Sequence, residues 1–140
     1  LFSFTIYICS IVNYNELRNE TWISLILNLI LNRLIGGFHH DKLWFISKKA
    51  YEGRTNAYTP YSNFKVGAAV LTEDDTIYTG CNIENASYGA TNCAERTAIF
   101  KAISEGHQKI KAIAIVGVEN DYTYPCGICR QVIVELPLKI

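Results

Sequence analysis

A chain of 140 residues is long enough for one hydrophobic core and short for two, so a single domain is expected. Thirteen Lys and Arg against thirteen Asp and Glu leave no formal net charge, which argues against a nucleic-acid binder and for a small, neutral partner. The five cysteines, Cys9, Cys81, Cys93, Cys126 and Cys129, are odd in number and unevenly spaced. That disfavours a disulfide framework and points to thiol chemistry in a reducing, cytoplasmic compartment. Methionine is absent, so the chain reads as a processed product or as a piece of a longer reading frame.

Residues 1–40 are rich in Leu, Ile and Asn, and 22–31 is almost wholly apolar. This run falls short of the roughly 20 apolar residues that a bilayer span needs, and Asn28, Asn32 and Arg33 interrupt or close it. An amphipathic or buried helix is expected there, with no stable membrane insertion. A secretory signal fits poorly, because Glu16 and Glu20 precede the apolar run and bulky residues follow it. Gly36 and Gly37 break any helix and mark a boundary between an N-terminal segment, 1–40, of no assigned role and a domain at 41–140.

Leu43, Ile46, Ala50 and Ala57 fall at helical spacing, predicting a helix from about Lys42 that stops before Pro60. Residues 65–72 (KVGAAVLT) and 76–82 (TIYTGCN), joined by the acidic turn 73–75, predict a β-hairpin. A helix is expected over 93–105 with Gly106 as its stop, then a strand at 111–118 (KAIAIVGV) buried on both faces. A last helix opens behind Pro125 and runs over 126–136. The order helix, hairpin, helix, strand, helix implies a mixed sheet covered by helices, an α/β fold.

The densest chemistry is Cys93, Ala94, Glu95, followed by Pro125, Cys126, Gly127, Ile128, Cys129, Arg130 and Gln131. Cys126 and Cys129, three apart at a helix start, present their sulfurs on one face, where they can share a metal. Cys93 opens the other helix, so all three thiols sit near helix N-termini, where unpaired N–H groups and the dipole favour the thiolate. Three protein ligands leave a tetrahedral zinc with one open position, in which a water has its pKa lowered to roughly 7. Glu95, two residues past a ligand, can reach the same space and move protons.

This pattern matches the zinc deaminase signature of a ligand, one intervening residue and Glu, followed by P-C-x-x-C. Together with 57–71 (AYTPYSNFKVGAAVL), 80–89 (GCNIENASYG) and 93–101 (CAERTAIFK), it resembles cytidine deaminases of the short, homotetrameric, three-cysteine class over about 42–136. The resemblance implies a three-layer α-β-α fold, incomplete at the C-terminal end, because such proteins continue past the last matched helix. It implies one Zn2+ per chain, no histidine ligand, and hydrolytic conversion of cytidine or deoxycytidine to the uridine counterpart in pyrimidine salvage, with Glu95 as proton shuttle. Asn82 and Glu84 match positions that hydrogen-bond the ribose, Phe64 an aromatic packed on the pyrimidine, and Tyr88 a residue near the sugar end and the subunit interface. Arg96 and Gln131 match positions behind the ligands, where Arg96 can donate to sulfur and offset the negative charge of three thiolates on one divalent ion.

Other readings of the same residues compete. C-x-x-C alone also serves redox pairs, and Cys81 would complete a structural four-cysteine zinc site, although within a strand it reads as a buried thiol. Phe64 would otherwise belong to the core, and Asn82 and Glu84 to a turn. A non-catalytic zinc-binding fragment of the same fold is the alternative function; a deaminase acting on polynucleotides is disfavoured by the missing basic groove.

Overall fold

The computed structural model describes residues 40–118 and 122–135, together with the backbone of 7–10. The helix expected within 22–31, the boundary at Gly36 and Gly37, and the closing residues 136–140 lie outside the described residues. In chain order the elements are β1 (Tyr7–Ser10), α1 (His40–Arg54), β2 (Gly67–Thr72), β3 (Ile77–Cys81), a single 3₁₀ turn (Tyr88–Ala90), α2 (Ala94–Ser104), β4 (Ile110–Val116) and α3 (Gly127–Glu135).

Successive side chains on a strand point to opposite faces, so β2 and β4, apolar without alternation, need cover on both. Ala68 and Val70 of β2 join Ile113 and Ile115 of β4 against Ala94, Ala98, Ile99 and Ala102 of α2 and Ile133 of α3. The opposite parity, Ala69, Leu71, Ala112, Ala114 and Val116, packs against Ile46 and Ala50 of α1. One helix on one face and two on the other make the expected α-β-α sandwich. Its sheet runs β1-β4-β2-β3, with β2 antiparallel to both β3 and β4.

The expected hairpin and helices form, with shorter strands and one shifted boundary. Helix α1 ends at Arg54, and Ala57 lies beyond it, because Thr55, Asn56 and Ala57 turn back to donate to the carbonyls of Glu52, Gly53 and Arg54. Gly106 stops α2 as expected: it takes a left-handed φ of 95°, and its N–H donates to Ile103 O at 3.0 Å. Within residues 1–40, β1 pairs in parallel with β4, placing Tyr7 beside Ala112 and Ser10 beside Ile115. β4 has β2 on one side only, and β1 occupies the backbone donors and acceptors on the other.

Two glycines set how closely the helices approach. A Cβ on Gly67 would lie 2.0 Å from Ala50 O of α1, and one on Gly80 would lie 2.4 Å from Ala98 N and 2.5 Å from Ala94 O of α2. The first turn of α2 therefore rests directly on the backbone of β3. Because backbone atoms cannot rotate aside, Gly80→Ala has to lift that turn. We expect it to destabilise the domain by about 1–3 kcal/mol, as overpacking does, read as a lower urea midpoint, and to reduce zinc retention. Gly89→Ala, where an added Cβ meets nothing within 4 Å, is the matched control and should leave both unchanged.

Candidate metal centre

The N-terminal ends of α2 and α3 bring the cysteines together. Cys93 is the N-cap of α2, in extended conformation (φ −76°, ψ 157°), and its carbonyl accepts from Thr97 N at 3.0 Å. Cys126 stands just before α3, its carbonyl accepting from Arg130 N at 2.9 Å, and Cys129 lies buried in the first turn. The sulfurs of Cys93 and Cys126 are 3.8 Å apart, and all three lie within 4.8 Å of one another. Zinc–sulfur bonds of about 2.3 Å in a tetrahedron put sulfurs about 3.8 Å apart, so the residues present fit zinc.

The charges fit a cation as well. Cys93 is drawn down to about 5, first by the hydrogen bond from the Cys129 thiol, with Arg96 helping against burial. Cys129 is driven upward because it holds the proton that the pair shares, with burial and the nearby Glu95 adding to the effect. Thiols that compete for one proton are the groups a divalent ion would hold as thiolates. Arg96 Nη2 lies 3.6 Å from Cys93 Sγ and donates to Thr91 O at 3.2 Å, so its cation is fixed beside the anionic sulfur.

Glu95, in the first turn of α2, is only 4% exposed. Burial pushes its carboxyl above the ordinary range, and the negative charge on Cys93 adds to the shift. Cys81, at the end of β3, stands outside the three-thiol group; burial raises its thiol, as for an ordinary enclosed cysteine.

The remaining predicted residues flank this centre. Ile83 and Asn92 exchange backbone hydrogen bonds at 2.9 Å in both directions, so Asn82 and Glu84 run beside the residue preceding Cys93. On its other side this segment pairs with Tyr58, which donates to Asn82 O at 3.0 Å and accepts from Glu84 N at 2.9 Å. Asn82 Oδ1 accepts from Val66 N and Asn82 Nδ2 donates to Phe64 O, each at 2.8 Å. Glu84 accepts from Tyr61 N at 3.0 Å, from Ser62 N at 3.2 Å and from the Ser62 hydroxyl. Phe64 is partly open to solvent, and Tyr88, on the 3₁₀ turn, is 86% exposed. Gln131 faces outward on α3 and donates to Glu135 Oε2 at 3.0 Å, a contact along its own helix. Sequence reasoning missed Ser62 and Thr91, whose partners are 22 and 5 residues away, respectively.

A three-thiol cluster that fits zinc, with a buried carboxyl beside it, carried on two helix N-termini of an α-β-α sandwich, defines the class. The chain belongs to the family of the cytidine and deoxycytidylate deaminase zinc-binding region, which it matches over residues 41–139. It is 59% identical over 95 residues to a cytidine deaminase of Sporosarcina psychrophila, covering 68% of either chain. It is 57% identical over 89 residues to one of Halalkalibacterium halodurans, covering 64% of this chain and 67% of that one. Among solved structures it is similar to the cytidine deaminase of Burkholderia pseudomallei, with a TM-score of 0.64 at 52% identity over 66% of this chain and 75% of that one. The Mycobacterium tuberculosis cytidine deaminase follows with a TM-score of 0.62 at 42% identity, over the same shares of the two chains.

Cys126→Ser should lower bound zinc well below one per chain, whereas Cys81→Ser should leave it unchanged, as measured by metal analysis after dialysis. In the metal-free chain the direction of the thiol shifts sets a second outcome. Cys93 is lowered to about 5 and is therefore thiolate above that pH, while Cys81 is raised and stays protonated. Iodoacetamide at about pH 6 should accordingly modify Cys93 well ahead of Cys81, as read by peptide mass spectrometry.

Proposed function

We propose that the chain hydrolyses cytidine or deoxycytidine to uridine or deoxyuridine and ammonia, with Cys93, Cys126 and Cys129 holding one zinc and Glu95 carrying the proton. The observation that carries this reading is the buried Glu95 carboxyl in the helical turn that Cys93, one of the three clustered thiols, caps. When bound, zinc supplies a Lewis acid and brings the pKa of a water in its open position to about 7. Glu95 takes the two protons of the attacking water in turn, giving one to ring N3 and the other to the amine leaving C4, so that water is consumed and ammonia released. Burial raises its pKa, which eases uptake of a proton from water and its return to the substrate. Arg96, held on Cys93 Sγ, offsets the excess charge of three thiolates.

Phe64, open at its face, packs on the pyrimidine, and Asn82 and Glu84 take the sugar hydroxyls. Each retains capacity for that role: the Asn82 amide keeps one N–H and one lone pair beyond its two backbone bonds. Glu84 is held ionised, its pKa lowered first by Ser62, so it accepts from hydroxyls. Tyr88 lies toward the sugar and a neighbouring subunit, whereas Gln131, turned outward to Glu135, takes no part at the ligands. Exposed Tyr58, Tyr61, Ile83, Tyr88, Tyr124 and Ile128 give the region around the site an apolar surface, which supports self-association as a homotetramer. The balanced charge favours a nucleoside over a polynucleotide substrate, and we place the reaction in cytoplasmic pyrimidine salvage. No described helix is long and apolar enough to cross a membrane. The alternative, a non-catalytic zinc-binding subunit, leaves the burial of Glu95 beside the thiols without a purpose.

Glu95→Gln keeps the shape and the zinc ligands but cannot carry a proton. We expect full zinc content with cytidine turnover lowered by about 10²–10⁴-fold. Activity within a factor of a few of the parent chain would refute the assigned role.

A further inference from the structure

We propose that Ser62 is a positioning residue, which sets the carboxylate of Glu84 and the ring of Phe64 as one unit for nucleoside recognition; this rests on the deaminase reading above. Residues 61–65 are exposed, and Asn63 takes a left-handed φ of 56°, so no core packing holds this segment in place. Its order comes from hydrogen bonds instead. The Ser62 hydroxyl donates its proton to Glu84 Oε1 and accepts from Phe64 N at 3.0 Å, so a single side chain touches both recognition residues.

The surrounding contacts show what that hydroxyl adds. Glu84 Oε2 already receives Tyr61 N and Ser62 N, which anchor the segment without Ser62's side chain. Phe64 O is held by Asn82 Nδ2 at 2.8 Å, which fixes one end of that residue's backbone. The Ser62 hydroxyl holds the other end and the second carboxylate oxygen, and thereby ties the backbone that carries the ring to the carboxylate. That geometry reaches the metal centre through the pairing of Ile83 with Asn92, the residue before Cys93. An amine or methyl in place of the hydroxyl would leave the Phe64 N–H without its acceptor, while the two backbone donors to Glu84 would persist.

The test is a set of Ser62→Ala and Ser62→Thr variants of the whole zinc-loaded chain. Ser62→Ala should raise KM for cytidine roughly tenfold or more, the scale of one lost charge-assisted hydrogen bond, with kcat changed less than about threefold and zinc content intact. The penalty should shrink for 2′,3′-dideoxycytidine, which lacks the sugar hydroxyls that Glu84 receives. Ser62→Thr retains the hydroxyl and should return KM to within about threefold of the parent. Independently of activity, amide hydrogen exchange by NMR should speed up at Phe64 in Ser62→Ala while the amides of α2 keep their protection. An unchanged KM and unchanged Phe64 exchange would overturn the proposal, as would loss of zinc or failure of threonine to rescue. A parent chain that turns over no cytidine would instead overturn the deaminase reading, and the exchange measurement would still decide whether Ser62 orders this segment.

Discussion

Sulfur atoms gathered within 4.8 Å of one another cannot all be ionised without a cation, and the protein meets that constraint by starting two helices at one place against the same sheet. Cys93 caps one helix, while Cys126 and Cys129 open the other, so the positive ends of both helix dipoles lie at the thiols. In the metal-free chain a shared proton and Arg96 relieve the repulsion. A zinc ion relieves it better, and the bound form is thereby coupled to the docking of α2 on α3.

The rest of the architecture fixes the angle at which those helices begin. Bare backbone at Gly80 lets the first turn of α2 settle on β3, and the two-sided apolar strands β2 and β4 bind α1 on the far face. Glu95 is enclosed by the same contacts that place Cys93, which is why its burial and its closeness to the ligands come together. The proposed recognition side is built differently. It rests on backbone pairing among Tyr58, Ile83 and Asn92 and on polar side chains that tie an exposed segment down.

The three-thiol cluster was legible in the sequence because its signal is local: a three-residue spacing behind Pro125, and a cysteine one residue before a helix. The hairpin and the buried strand were legible for the same reason, through periodicity and the acidic turn. Pairings between distant segments were not. The strand at 7–10 has no alternation that announces a partner more than one hundred residues on, and only the open edge of β4 explains it. Asn82, Glu84 and Phe64 were found through family resemblance, whereas their joint dependence on Ser62 is a matter of geometry that no spacing encodes. Gln131 matched a family position, but its side chain here bonds along α3 to Glu135, a choice among rotamers beyond the reach of sequence.

On the proposed reading the three thiols form an open, catalytic zinc site and not a closed structural one. X-ray absorption at the zinc edge of the zinc-loaded chain tests it most directly. Three sulfur neighbours at about 2.3 Å and one oxygen at about 2.0 Å are expected. A shell of four sulfurs, drawing in Cys81, would contradict it.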